Sequence, residues 1–225
     1  MKIYPPALYD CPLFTGIAGE DLHSLLVCLS ANRNNFARES FVFRAEEKVE
    51  SVGIVLSGGA HIVQEDFWGN RTILARIEAG GLFGEAFACA GLEKLPLSVV
   101  AAEASEIMLV NCGRILSPCT AACSFHALLI KNMMRVLAHK NILLTRKIEH
   151  ITRRGTRAKL LSYLSEQATL AGCADFTIPF SRQELADFLA LDRSAMSSEL
   201  GRMRDEGLLR FSRNRFELLP GSCVR

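Results

Sequence analysis

The sequence predicts an α+β protein with an amino-terminal antiparallel β-roll, a long central helix and a carboxy-terminal winged helix-turn-helix. Three patterns support this fold class. Between Phe41 and Ile77, apolar residues alternate with polar ones in short runs, a period of two that is typical of half-buried strands. From Phe125 to Ile151 the apolar residues follow a helical period instead. Residues 180–219 then contain two short helical segments and a basic segment with a hairpin pattern.

Length and composition are those of a globular protein. The chain has 225 residues, of which 49 % are hydrophobic, and a formal net charge of +2, so it can bury the core of one large or two smaller domains. No apolar run reaches the length of a membrane span, and the first residues, MKIYPPALYDCPLF, lack the pattern of a secretion signal. We therefore expect a cytoplasmic protein without a membrane partner.

Charge is distributed unevenly along the chain. From Thr152 onward there are twelve Lys or Arg and nine Asp or Glu, a net charge of +3, whereas the preceding part carries −1. This asymmetry is mild and only weakly favours a polyanionic partner.

Strand-like runs occupy the first half of the chain. After a helical segment, LFTGIAGEDLHSLLVCL (13–29), alternation appears around Val52 to Leu56 and again around Ile73 to Ile77. Turn signals at 57–59, 68–70 and 80–81 separate the runs. Short strands at such even spacing predict an antiparallel sandwich or roll.

The long helix carries an apolar stripe whose steps alternate between four and three residues, the spacing of a heptad repeat. This heptad stripe consists of Ile130, Met134, Leu137, Asn141, Leu144, Ile148 and Ile151. An Asn at such a position favours two-stranded pairing at the expense of stability. A second stripe, Leu129, Met133, Val136 and Leu143, is expected to face the β domain. One broad face that packs only within the monomer is the alternative, but two separate stripes favour a parallel homodimer.

The carboxy-terminal region has the pattern of two capped helices followed by a basic hairpin. Ser181 and Glu184 have the spacing of a capping box, and Asp192 is positioned to cap the next helix. A polar and cationic helix face suits the major groove of DNA, although exposed serines are also common on ordinary solvated surfaces. The candidate DNA-contacting residues are Ser181, Arg182, Gln183, Asp192, Arg193, Ser194, Ser197, Ser198, Arg202 and Arg213.

Over nearly its full length the sequence resembles the cyclic-AMP receptor protein / fumarate-nitrate regulator (Crp/Fnr) family of bacterial transcription factors. The matching segments include VGIVLSGGAHIVQEDFWGNRTILARIEAGGLFGEA, the long helix, and SRQELADFLALDRSAMSSELGRMRDEGLL. The resemblance implies a sensor domain of the cyclic-nucleotide-binding type over residues 1–124, a dimerisation helix over 125–151 and a DNA-binding domain over 152–225. It further implies a homodimer that binds an inverted-repeat operator in double-stranded DNA, acts with RNA polymerase and responds to a small-molecule effector.

The resemblance also implies an effector pocket with altered chemistry. Gly84 and Glu85 match the pair that contacts the ribose in cyclic-AMP-binding members, and Ser98 matches a phosphate-binding Ser. The Arg that pairs with the cyclic phosphate is replaced by Leu97. Two polar positions that contact the purine fall on Ile142 and Leu143. A buried phosphate without its guanidinium loses its strongest contact, so we expect an apolar or aromatic effector, or none, rather than cyclic AMP.

The cysteine pattern leaves two interpretations open. Eight cysteines are scattered irregularly, which favours reduced thiols over a disulfide framework. The tightest group is Cys112, Cys119, Cys123 and His126. It could sense redox state or a metal, but without a C-x2-C pair small apolar packing is favoured, and we expect no metal and no cofactor.

Two further function classes are alternatives to a transcription factor. A ligand-independent protein that acts on other regulators through its dimer helix is the main alternative, although such a protein would not need the Arg193–Ser198 surface. A module that gates an attached enzyme or channel is disfavoured, because no remaining segment is long enough for either. No nucleophile–base combination is recognisable, so we expect no enzyme activity.

Overall fold

The computed structural model describes residues 4–65, 68, 71–117 and 124–219. They form two compact units, one within Met1–His139 and the other within Lys140–Arg225. The boundary lies inside the long central helix, so the two ends of this helix belong to different units.

The first unit combines short helices with a series of strands. Its described helices are α1 Pro6–Tyr9, α2 Gly19–Cys28, α3 Glu85–Ala90 and α4 Cys112–Leu116, with a 3-10 turn at Pro12–Phe14, and they are followed by α5 Ser124–Ile151. Its strands are β1 Asn32–Phe36, β2 Phe41–Phe43, β3 Ser51–Ser57, β4 Gly59–Glu65, β5 Arg71–Glu78, β6 Leu82–Phe83, β7 Ser98–Ala101 and β8 Ser105–Asn111.

These strands form two antiparallel four-stranded sheets, ordered β1-β8-β3-β6 and β2-β7-β4-β5. Phe43 and Val99 from one sheet meet Val55, Phe83 and Ile107 from the other in a common apolar cluster. Facing sheets with a shared core confirm the predicted antiparallel roll.

Strand β3 is an exception to the predicted alternation of buried and exposed residues. Every residue from Val52 to Leu56 is buried. Val55 faces the core between the sheets, whereas Val52, Ile54 and Leu56 pack against helices that cover the outer face of this sheet. A strand covered on both faces is apolar throughout.

The amino-terminal half of α5 belongs to the helical layer on that outer face. Leu129, Met133 and Val136 are buried there, and the Asn132 side-chain amide donates to the carbonyl oxygens of Leu13 and Thr15 at 3.1 and 2.8 Å. Leu143, the last residue of the predicted second stripe, is instead 49 % exposed. Although α5 is long, neither it nor any other described helix combines the length and apolar character needed to cross a bilayer.

The second unit contains three further helices and a small antiparallel sheet. Its elements after α5 are α6 Thr156–Ala171, β9 Asp175–Thr177, α7 Arg182–Phe188, α8 Arg193–Asp205, β10 Leu209–Ser212 and β11 Arg215–Leu218. The strands are ordered β10-β11-β9. Its core is built from Leu160 and Leu164 of α6, Leu185 of α7, Leu200 of α8 and Phe216 of β11. This arrangement confirms the predicted winged helix-turn-helix.

Both helix starts predicted from capping residues are present. The Ser181 hydroxyl accepts from the Glu184 backbone N–H, and the Glu184 carboxylate accepts from the Ser181 N–H at 2.7 Å. Asp192 accepts from the Ala195 N–H at 2.8 Å. The hydrogen bond from the Ser181 N–H lowers the pKa of Glu184. Hydrogen bonds from the Ser194 hydroxyl and the Ala195 N–H lower the pKa of Asp192, because they favour the charged form.

Buried His150 fixes the carboxy-terminal end of α5 on the second unit. Its imidazole lies 2.9 Å from the Ser162 hydroxyl through Nδ1 and 2.8 Å from the Glu166 carboxylate through Nε2. The ring of Tyr163 packs edge-on against it. The last turn of α5 is thereby joined to the middle of α6 across the Gly155 turn.

Candidate nucleic-acid interface and effector pocket

Helix α8 separates a buried face from an exposed polar face. Met196, Leu200 and Met203 are fully buried in the core of the second unit. The exposed side carries Arg193, Ser194, Ser197, Ser198 and Arg202. Helix α8 therefore presents cationic and hydroxyl groups to solvent from its first turn, where base edges in a major groove can be contacted.

The first turn of α8 is ordered by Asp192. Besides capping the helix, its carboxylate accepts a hydrogen bond from the Ser194 hydroxyl. Arg193 makes no ion pair with any described residue, whereas Arg202 lies 3.4 Å from Glu199. The Arg193 guanidinium is therefore available to an external acceptor, while the Ser194 hydroxyl is already engaged.

Arg182, at the start of α7, is half-buried against aromatic rings. Its guanidinium carbon lies 4.8 Å from the ring centroid of Phe211 and 4.9 Å from that of Phe216. Its buried Nη2 makes no hydrogen bond to any described residue, and burial lowers the pKa of the group. Desolvation disfavours the charged form of the guanidinium, which is why its pKa falls.

The three arginines of the β10–β11 hairpin, the wing, differ in their partners. Arg215 forms a bidentate pair with Asp175, and Arg210 lies 3.7 Å from Glu217. Arg213, at the exposed turn, makes no ion pair with any described residue and has a left-handed backbone, φ 52°. Arg213 is therefore the wing arginine with an uncommitted charge.

The candidate effector pocket is formed around the turn between β6 and α3. Gly84 has φ 79°, and a Cβ atom there would lie 2.9 Å from Cε2 of Phe43, so this turn requires glycine. Glu85, the next residue, is buried with only 3 % exposure. The close packing beneath Gly84 gives it a structural role that does not depend on any ligand.

The residues at the matched phosphate position are already committed to the fold. Leu97 packs half-buried against the core between the sheets. The Ser98 hydroxyl accepts from the backbone N–H of Ala45 at 2.9 Å. Lys94, the cation of the neighbouring loop, is exposed and forms an ion pair with Glu46 at 2.9 Å. None of these three side chains presents an uncommitted positive charge to a phosphate.

Helix α5 leaves three apolar side chains of the heptad stripe exposed. Met134, Leu144 and Ile148 are 66 %, 62 % and 55 % exposed. Ile130 and Ile151 are half-buried, and Leu137 packs partly against the core of the first unit. Asn141 is exposed, with its side-chain oxygen 3.4 Å from the Thr145 hydroxyl. Ile142 and Leu143, assigned to the effector pocket by resemblance, are also about half exposed.

Both units match known protein families. Residues 33–117 match the cyclic nucleotide-binding domain, and residues 158–219 match the Crp-like helix-turn-helix domain. The nitrogen fixation regulation protein FixK of Azorhizobium caulinodans is 30 % identical over 190 residues, which span 82 % of this chain and 73 % of FixK. The chain belongs to the Crp/Fnr family of transcriptional regulators.

Solved structures show the same fold at lower identity. CprK in complex with OCPA has a TM-score of 0.66 and 14 % identity, with 88 % of this chain and 91 % of that chain covered. The c-di-GMP responsive global regulator CLP of Xanthomonas campestris has a TM-score of 0.59 and 16 % identity, with 89 % and 99 % covered. The Crp/Fnr architecture therefore extends over most of this chain.

Of the cysteine group singled out in the sequence of this Crp/Fnr regulator, the structure describes Cys112 and His126. Cys119 and Cys123 lie outside the described residues. The buried His126 ring makes a 2.9 Å hydrogen bond through Nε2 to the Arg114 carbonyl oxygen. Cys112 lies 3.2 Å from Cys89, sulfur to sulfur. Among the described residues, no three His, Cys, Asp or Glu side chains are placed to hold a metal ion.

Several contacts in this regulator have no local sequence signal. Cys89 is 23 positions from Cys112, and Arg215 is 40 positions from Asp175. The rings that receive Arg182 lie on the wing strands. Helical or strand periodicity contains no information on such pairs, because they form only when distant segments pack together.

Proposed function

We propose that this Crp/Fnr regulator is a homodimer that binds an inverted-repeat operator through α8, under the control of an effector other than cyclic AMP. The observation that carries the proposal is the exposed first turn of α8. Asp192 caps this turn by accepting from the Ala195 N–H, and Arg193 within it is uncommitted. Arg182 and Arg213 supply two further cationic groups from α7 and the wing. This combination suits base contact by one residue and phosphate contact by the other two.

Arg193 is the proposed base-contacting residue. Arg193→Ala is expected to cost about 1–3 kcal/mol at the operator and to relax preference at one base pair of each half-site. Operator selection from a randomised DNA library, with the mutant and the original protein side by side, measures both effects. An unchanged base preference in the mutant refutes the assignment.

Arg213 is the proposed phosphate-contacting residue of the wing. Arg213→Ala is expected to weaken binding to all DNA sequences alike. It should also reduce the slope of log K against log salt concentration by about one, because one phosphate contact is lost. Arg210→Ala is the matched control, since Arg210 lies on the same hairpin but faces Glu217. Equal losses in both variants would contradict a specific role for Arg213.

Dimerisation is proposed to cover the exposed part of the heptad stripe. Leu144→Asp introduces a charge at a side chain that is 62 % exposed in the single chain, so it should dissociate the dimer without unfolding it. Leu137→Asp should also dissociate it, but Leu137 contributes to the core of the first unit. Leu170→Asp, at an exposed Leu of α6, is the control. Sedimentation showing a wild-type monomer that binds a palindrome tightly would contradict this proposal.

Cyclic AMP is proposed not to switch this protein. The cyclic phosphate would meet Leu97 in place of a guanidinium, a loss on the order of 1.5–3 kcal/mol. Each 1.4 kcal/mol is roughly tenfold in affinity, so binding should be weaker by about one to two decades. Calorimetric titration of cyclic AMP into the dimer, with and without operator DNA, tests this. Saturable micromolar binding that also tightens operator affinity would overturn it.

We also propose that the protein acts on RNA polymerase and catalyses no reaction, as the family membership supports. Transcription reconstituted from purified polymerase and an operator-containing promoter measures this directly. A change in transcript level that Arg193→Ala abolishes is the expected result. Unchanged transcription despite full operator occupancy would contradict a productive contact with polymerase.

A further inference from the structure

Cys89 and Cys112 face each other where α3 meets the end of β8. Their sulfur atoms are 3.2 Å apart. Cys89 lies on α3, one turn after Glu85, and Cys112 is the first residue of α4, directly after β8. Both pack into the core beneath the helical layer, with Cys112 buried and Cys89 half-buried. Two thiols from segments far apart in sequence are thus already in contact.

We propose that Cys89 and Cys112 form a redox-responsive site, in which peroxide converts the two thiols into an intramolecular disulfide that restrains α3. Since α3 begins with Glu85, the disulfide restrains the candidate effector pocket. The effect on the pocket depends on the proposed function, whereas formation of the disulfide does not.

The chemistry requires only hydrogen peroxide as oxidant. The Cys89 sulfur attacks the peroxide, the O–O bond breaks, and Cys89 becomes a sulfenic acid with release of one water. The Cys112 sulfur then attacks the Cys89 sulfur, the S–O bond breaks, and the hydroxyl leaves with the Cys112 proton as a second water. Two thiols are oxidised and one peroxide is reduced. The sulfurs must approach by roughly 1 Å to reach a disulfide bond length of about 2.05 Å.

The environments of the two cysteines assign the order of these steps. Burial and the adjacent Cys89 raise the pKa of the Cys112 thiol to about 12, so Cys112 remains protonated at neutral pH. Cys89 is the more exposed of the pair and the one that a peroxide can reach. Cys112 therefore acts as the resolving thiol, and its reaction should become faster as the pH rises.

The position of Cys112 explains why a disulfide would restrain α3. The Cys112 backbone N–H donates to the Glu50 carbonyl oxygen at 2.8 Å, and the Asn111 side chain caps the following helix by accepting from the Arg114 N–H at 3.0 Å. Cys112 is thus held by the sheet through its backbone. Helix α3 is only six residues long, so a covalent bond at Cys89 limits any displacement of Glu85 one turn earlier.

Peptide mapping of the full-length protein tests the disulfide itself. The reduced dimer is exposed to hydrogen peroxide, free thiols are alkylated, and peptides are analysed by mass spectrometry. The expected product is a linked Cys89–Cys112 peptide pair that has lost two hydrogens. It should form in Cys173→Ser, which removes an exposed thiol, and be missing in Cys89→Ser. Overoxidised Cys89, or Cys89 linked to another cysteine, overturns the proposal.

Operator binding tests the effect on the pocket. Oxidation should change operator affinity by about fivefold or more, the lower end of typical coupling between sites, in the wild type and in Cys173→Ser but not in Cys89→Ser. A linked peptide with unchanged affinity overturns the effect on the pocket. Absence of operator binding in both redox states contradicts the proposed function instead, while the mapping result still decides the disulfide.

Discussion

Arg182 combines an observed packing contact with a proposed phosphate contact in a single side chain. Its guanidinium covers the rings of Phe211 and Phe216 on the wing, while its buried Nη2 makes no hydrogen bond to a described residue. The rings fix the direction of the group, and such stacking favours a planar guanidinium over an ammonium. The orientation of this α7 side chain therefore depends on the wing.

The packing of Arg182 and its proposed phosphate contact can be separated by substitution. Arg182→Met retains an apolar stem against the rings, so stability should stay within about 1 kcal/mol of the wild type while DNA binding weakens for all sequences. Arg182→Ala removes both and should also lower the free energy of unfolding by about 1–2 kcal/mol. Urea unfolding and fluorescence anisotropy measure the two quantities. Full DNA affinity in Arg182→Met would contradict the phosphate contact.

Gly84 and Gly91 form a matched pair, because both have a left-handed backbone but only Gly84 is crowded. A Cβ at Gly84 would lie 2.9 Å from the Phe43 ring, whereas nothing lies within 4 Å at Gly91. Gly91→Ala should cost about 1 kcal/mol from backbone strain alone, and Gly84→Ala about 2–3 kcal/mol. Urea unfolding of both variants checks this. Equal losses would show that the turn relaxes away from Phe43.

At the scale of elements, the start of α8 depends on one carboxylate. Asp192 accepts from the Ser194 hydroxyl and the Ala195 N–H, and these hydrogen bonds hold its pKa below the usual 3.8. Asp192→Ala should destabilise the second unit and weaken operator binding, since Arg193 lies in the first turn that the cap orders. Asp205→Ala, at the far end of the same helix, is the control and should change neither quantity.

The Asp192 cap also predicts a pH dependence. A carboxyl group whose pKa is lowered on folding stabilises the fold above its unfolded pKa, and this stabilisation is lost as the pH falls through the folded pKa. The stability difference between the wild type and Asp192→Ala should therefore be constant above about pH 5 and shrink below pH 3.8. Urea unfolding across this range measures it. A difference that persists unchanged at pH 2 would contradict a role for the charged carboxylate.

At the scale of the whole molecule, the dimer is expected to set the spacing of the two α8 helices. Half-sites of an inverted repeat separated by one helical turn require centres about 34 Å apart. The exposed apolar residues of the heptad stripe are the proposed dimer surface, and Asn141 is the one polar residue of the stripe. These side chains are exposed to water in the single chain. Pairing of two chains along α5 would bury them.

Asn141→Leu tests how that pairing is specified. A buried Asn sacrifices stability for two-strandedness and register, so the variant should associate at least as tightly but form higher oligomers as well. Sedimentation equilibrium over a range of concentrations measures both. Leu170→Asn, an exposed position of α6, controls for a general change in solubility. Weaker association with an unchanged two-chain stoichiometry would contradict a heptad position for Asn141.

The sequence by itself determined the elements of this protein and their order. The period of two in the first half, the helical period of α5, and the caps at Ser181 and Asp192 depend on residues only a few positions apart. Local propensity and side-chain capping act over the same distance. The Crp/Fnr family was also recognisable, because the order and spacing of these elements are preserved in the sequence.

Only the tertiary structure decided which side chains are committed to the fold. It pairs Arg215 with Asp175 but leaves Arg213 uncommitted, and it places Arg182 against wing rings that sequence spacing does not connect with it. It also exposes Leu143, buries both faces of β3, and brings Cys89 into contact with Cys112. The physical reason is that these contacts join residues separated by tens of positions, so they depend on how sheets and helices pack and not on local periodicity.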